Sequence, residues 1–223
     1  MEPFRLPLGT SEPPVTDWRA TTAQDVLDRL ELPNDRPAVL AIDGRGGAGK
    51  STLGRQLADV KAGASLVSTD DIAWNHSFFD WSDLLIDNVI RPVRTGAAVA
   101  YRPPGWISHH RPGAVEVPAN RSLLIIEGVG CSQAAMRDHV DATVWVQSDE
   151  PTAYTQAIER DVASGVNGDR VESIAFWDEW MADELPFLDR ETPWAYADVV
   201  VAGVRPGSLS GLLWSPTEAR ADG

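Results

Sequence analysis

Several things are scarce in this chain of 223 residues, and each scarcity excludes something. Cysteine occurs once, at Cys131, so no disulfide can form within the chain and its stability must come from packing, as suits a reducing cytosol. No run approaches the roughly eighteen apolar residues of a membrane-spanning helix, and the N-terminus lacks a signal-peptide pattern. These absences predict a soluble, cytoplasmic protein. Positive charge is also short: nineteen Lys and Arg stand against thirty-three Asp and Glu, a net charge of −14. That argues against partners such as nucleic acid or an anionic membrane. Any anion must be met by a local positive pocket in an acidic molecule. Lysine is scarcest, present only as Lys50 and Lys61.

One of those two lysines stands where a motif requires it. Residues 39–42 are a short apolar run. Gly44, Arg45, Gly46, Gly47, Ala48, Gly49, Lys50 and Ser51 then fit G-x-x-x-x-G-K-[ST] at every fixed position, with Thr52 opening a helix-forming run behind them. Glycines let successive N–H groups turn inward, and the helix start aims its positive end at the same spot. A polyanion fits that nest, with Lys50 reaching the β- and γ-phosphates and the Ser51 hydroxyl suited to Mg2+. A nucleoside triphosphate, ATP or GTP, with Mg2+ is therefore expected as cofactor.

The chain as a whole, at 43% apolar content, reads as one α/β domain without internal repeats. Residues 1–20 read as a loose arm, 21–204 as the phosphate-binding domain and 205–223 as a tail. Thr21 or Thr22 is the expected cap of a helix over 23–32. Strands are expected over 39–42, 65–69, 122–126, 140–146 and 197–202. The second ends in Asp70-Asp71, where a carboxylate near a γ-phosphate suits a base or a magnesium ligand, although paired aspartates also cap helices. The third ends in Glu127, the place of an acid that holds Mg2+ and its waters. Between these strands lie an aromatic-dense stretch with His76 and Asp80, and a Pro/Gly-rich excursion with Trp106 and His109. The first reads mainly as core. The second is long enough to form a substrate wall, which Trp106 would line. A helix, a glycine-bearing break at 164–168 and a second helix form a candidate lid, about 160–190, with Arg160 and Arg170 placed to close over phosphates.

Taken in order, AIDGRGGAGKST, STDD, NHSFFDWSDLL, SHHR, LLIIEGV, IERD and ADVVV resemble the uridine kinase-like P-loop kinases, near the phosphoribulokinase and pantothenate kinase group. The resemblance spans about residues 39–201. It implies a P-loop NTPase fold: a three-layer α/β/α sandwich on a five-stranded parallel sheet of order 2-3-1-4-5, with small lid helices. It implies Asp70 as the base toward an acceptor hydroxyl and Asp80 as the aspartate holding ribose hydroxyls. His109 matches a histidine of the base pocket, with His76 a further acceptor-side candidate, and Arg160 falls where lid arginines lie. The chain departs from the pattern at Ile72-Ala73, at Pro104-Gly105-Trp106 and at Ser164-Gly165, in the acceptor pocket and lid. The expected activity is phosphoryl transfer to a small-molecule acceptor, a nucleoside or nucleoside-like molecule. A pantothenate-like or sugar-phosphate alcohol is the alternative acceptor, and a nucleotide-binding switch acting through a partner is the alternative function. A homodimer is compatible with either.

Overall fold

The computed structural model describes residues 12–15, 17–203 and 211–216. A short strand, β1 (Arg19–Thr21), leads into α1 (Ala23–Arg29). Thr22 caps that helix in a capping box with Asp25, and Leu30 then turns extended into the core, ending the helix three residues earlier than its apolar spacing suggests. β2 (Ala38–Gly44) is buried at every position and runs straight into the glycine loop and α2 (Lys50–Val60). β3 (Ala64–Ser68) and α3 (Thr69–Ala73) follow.

The next helical stretch changes gauge. α4 (Ser82–Leu85) passes through a π-helical turn (Ile86–Ile90) into α5 (Arg91–Arg94). Pro92 has no N–H for the ladder and its ring crowds the preceding turn, and the wider π turn lies just before it. The Pro/Gly-rich excursion is a hairpin of β4 (Val99–Tyr101) and β5 (Val115–Val117) flanking α6 (Pro104–Ser108). β6 (Leu123–Glu127) and β7 (Ala142–Gln147) are again wholly buried. The helix pair expected as a lid is α7 (Glu150–Ser164) and α8 (Arg170–Glu191), followed by β8 (Val199–Ala202) and β9 (Leu212–Pro216).

The main sheet runs β1-β9-β8-β7-β2-β6-β3. Its five parallel strands, β3, β6, β2, β7 and β8, are the five expected from the apolar runs, in the order 2-3-1-4-5. Alternate residues point to opposite faces. Val39, Ala41, Leu124 and Ile126 pack under α3–α6, while Leu40, Ile42, Leu123 and Ile125 pack under α1 and α2, which gives three layers.

The five-stranded expectation is corrected to seven. β9 pairs antiparallel with β8, and β1 with β9, so residues expected in a loose arm and a tail extend the sheet. Arg29 of α1 stacks 4.1 Å over the Trp214 ring and secures this edge. The arm is also anchored inside its expected span. Glu12 is buried, pairs with Arg45 of the glycine loop at 3.0 Å, and accepts the Trp145 indole N–H at 2.6 Å. No helix among the described residues is long and apolar enough to cross a membrane.

Candidate active site

β2 lies between β6 and β7, where the sheet's connections diverge, and the loop at its C-terminal end sits in the position favoured for ligands in open α/β sheets. The loop's backbone can be accounted for donor by donor. The Gly44 N–H goes to Asp43 Oδ1 at 2.8 Å, the Gly46 N–H to Glu184 Oε1 at 2.6 Å, and the Ala48 N–H to the Arg45 carbonyl at 3.1 Å. The amides of Thr52 and Leu53 go to the Gly49 carbonyl. The N–H groups of Gly47, Gly49, Lys50 and Ser51 find no acceptor among the described residues. Four donors in one turn, at a helix N-terminus, form an anion cradle. Gly47 and Gly49 have φ of 74° and 98°, and a Cβ on Gly47 would lie 2.6 Å from the Ala153 carbonyl of α7, so glycine is required there for two reasons.

Lys50 is buried to 7% exposure, and its ammonium donates to the carbonyls of Gly44 (2.8 Å) and Arg45 (2.7 Å). Two of its three N–H bonds are thereby fixed, leaving the third for a phosphate oxygen. Glu127 closes β6 in register with Ile42 and Ser68. Burial pushes its carboxyl above the ordinary carboxylate range, while the Lys50 charge and the Ser68 and Ser51 hydroxyls pull it down and the charge of Asp70 pushes it up. The structure thus brings Lys50, Ser51, Asp70 and Glu127 to one place. Hydroxyl and carboxylate oxygens are hard donors, and a buried carboxylate whose charge is under-compensated by its neighbours fits a magnesium ion. No group of three or more His, Cys, Asp or Glu arranged for a metal occurs among the described residues, so phosphate oxygens and water would complete such a site.

Asp70 is exposed at the start of α3, its N–H bound to Ser68 Oγ at 3.3 Å. Beside it stands a wall whose details the sequence did not disclose. Arg111 pairs with Asp71 at 2.7 Å and stacks 3.7 Å over Trp106 and 5.2 Å over Trp74. His109 meets the Trp74 ring edge-on at 5.6 Å. Trp106 is buried, its indole N–H donated to the Asp71 carbonyl at 2.7 Å, so Arg111 rather than Trp106 forms the outer layer. Gly105 permits this closeness, since a Cβ there would strike the Trp74 carbonyl at 1.9 Å. His76 and Asp80 are exposed, and no side-chain partner ties either to Asp70 among the described residues.

Neither arginine expected in the lid makes a hydrogen bond or ion pair to the cradle among the described residues. Arg160 is 63% exposed and bound to Asp161 at 2.7 Å, and Arg170 is exposed at the first turn of α8. What reaches the loop from the lid is Ala153 and Ala157 of α7, and Trp177, Trp180 and Glu184 of α8. Sequence reasoning missed Asp43, Glu184 and Arg111. The spacing of Trp177, Trp180 and Glu184 at i, i+3 and i+7 marks one helix face and was the available signal.

No protein-family model matches the chain, and no curated protein matches it. Solved structures do. A protein from Silicibacter sp. TM1040 named as a fructose transport system kinase is 16% identical over 82% of this chain and 95% of its own, with a TM-score of 0.55. The D-glycerate 3-kinase of Cryptococcus neoformans var. grubii is 12% identical over 87% of this chain and 97% of its own, with a TM-score of 0.54. At these identities the likeness is one of fold: the chain shares the architecture of these two structures.

Proposed function

We propose that the chain is an ATP- and Mg2+-dependent kinase that transfers the γ-phosphoryl group to a hydroxyl of a small metabolite. The observation that carries this reading is the cradle: four unpaired loop amides and one spare Lys50 donor, next to Ser51 and Glu127, with the Asp70 carboxylate on the exposed rim. The cradle amides hold the phosphates. Lys50 offsets charge on the transferring group, and Ser51 with Glu127 would hold the ion. A magnesium ion held there would supply charge neutralisation for the phosphate groups. Asp70 orients the acceptor hydroxyl and takes its proton as the new O–P bond forms and the bond to ADP breaks. Catalysis of this kind rests on positioning and electrostatics.

A nucleoside or nucleoside-like molecule, held by Asp80 and His109, is the first acceptor class. Arg111 favours a second, an alcohol carrying a carboxylate or phosphate, because it adds a cation to the wall beside Asp70. D-glycerate, the substrate in the name of one structure of the same fold, is such an alcohol.

The test is ADP release from Mg-ATP against nucleosides, pantothenate, D-glycerate and sugar phosphates, with Lys50→Ala as the blank. One acceptor is expected to raise turnover well above the water background. Asp70→Asn is expected to lower kcat by about 10²–10⁴-fold while binding of an ATP analogue persists. Retention of near-full turnover in that variant would remove Asp70 from the reaction. ATP binding with no responsive acceptor would favour a nucleotide sensor instead.

A further inference from the structure

Helix α8 touches both halves of the candidate site. Toward the phosphate loop, Glu184 is 1% exposed; its Oε1 accepts the Gly46 N–H, and its Oε2 has no hydrogen-bond partner among the described residues. Trp180 lies about one turn earlier on the same face and Trp177 about two. Both close over the same glycine: a Cβ on Gly46 would sit 2.6 Å from the Trp177 ring and 2.9 Å from Trp180 Nε1. That buried indole N–H faces the Glu184 carboxyl and pulls it down.

Toward the acceptor side, the same helix meets the segment that leads to Asp80. Trp180 lies 4.9 Å from Phe78 and 5.4 Å from Phe79, and Phe187 stacks on Phe79 at 3.9 Å with the rings 11° apart. Asp80 is the next residue. A single helix therefore carries a carboxylate on the phosphate loop and an aromatic face on the acceptor segment.

The charge on Glu184 is of the wrong sign to coexist with a terminal phosphate. It lies within the field of Lys50 and Arg45, the cations an incoming triphosphate would use, although burial is the larger influence and pushes its carboxyl above the ordinary range. Two anions would then compete for one set of donors. The contact is thus displaceable rather than permanent.

We propose that Glu184 is a positioning residue that latches α8 to the nucleotide-free phosphate loop. Nucleotide expels it, shifts α8, and through Phe78 and Phe79 reshapes the acceptor segment around Asp80. This rests on the reading of the loop as an ATP site. It implies coupled binding, in which nucleotide and acceptor each change the other's affinity by the same factor, because the helix that nucleotide moves is the one packed on the acceptor segment.

The test uses the full chain as wild type, Glu184→Ala and Glu184→Gln, with Mg2+ and β,γ-imido ATP as the probe. Two readouts are followed: affinity for the analogue, and amide hydrogen exchange over residues 74–82. In the wild type, the analogue is expected to change exchange over 74–82. Both variants are expected to bind it roughly tenfold tighter, within the usual range of coupling between sites. Exchange over 74–82 in Glu184→Ala is expected to be altered before any nucleotide is added. The near-isosteric Glu184→Gln keeps an acceptor for Gly46 and removes only the charge, so it carries the test if the alanine variant folds poorly. Analogue binding without any exchange change over 74–82 in the wild type overturns the latch and leaves the ATP site standing. So does unchanged or weakened affinity in both variants, which would make Glu184 a static brace. No binding to the wild type would overturn the ATP site itself and the latch with it.

Discussion

Asp43 is fully buried, and its two oxygens accept four hydrogen bonds: from the N–H groups of Gly44, Gly130 and Ser132 and from the Ser132 hydroxyl at 2.6 Å. Burial pushes its carboxyl up against the pull of those donors. It ties the end of β2, where the phosphate loop begins, to the turn that follows Glu127. Asp43→Ala would leave three backbone N–H groups buried without that acceptor. It is expected to lower unfolding free energy by about 1–3 kcal/mol, read by urea denaturation, with Asp43→Asn recovering part of the loss. Little of this was legible. An acid closing an apolar strand is the same signal at Asp43 as at Glu127, yet its donors come from residues 87 and 89 positions away, a pairing that local pattern does not reveal. Lys50 and Ser51 were legible because their chemistry depends on neighbours a few residues off.

At the scale of elements, the lid pair was anticipated as helix, break, helix, and its boundaries follow from local chemistry. Gly165 ends α7 in the left-handed region at φ 69°, and Asp169 with Glu172 forms a capping box that starts α8. The residue that joins the two helices was read differently. In the stretch IERD, Arg160 drew the functional reading, but Asp161 is the hub. Its side chain is 2% exposed and accepts from the Trp177 indole at 2.7 Å, from Asn167 at 2.9 Å and from Arg160. Asp161→Ala is expected to cost about 1–3 kcal/mol, because the Trp177 N–H then stays buried unbonded. The near-ultraviolet dichroism of the tryptophans should change with it. Asp161→Asn keeps a carbonyl for that N–H and should retain most of the stability; equal losses in both variants would show that charge, not the hydrogen bond, holds the pair.

For the whole molecule, the five parallel strands were readable because strands covered on both faces are apolar throughout. β1 and β9 were not. They are short, incompletely buried strands at one end of the sheet, and only their pairing identifies them. Ending the chain after residue 203 would uncover the β8 edge and strip β1 of its partner. The expected outcome is a lower denaturation midpoint and concentration-dependent association by light scattering, since an open apolar edge recruits other strands. A monomeric truncated protein of unchanged midpoint would show that the two strands are dispensable.

The clasp of Glu12 on Arg45 and Trp145 also has a meaning in time. Trp145 lies 133 residues beyond Glu12, and β2 waits for β6 and β7, both made long after it, before either of its edges is paired. A growing chain therefore carries the apolar run before its phosphate loop with both edges unpaired until β6 and β7 have been made. Such distant pairings make folding slow. The clasp from the arm is complete only once β7 has emerged, because Trp145 supplies half of it.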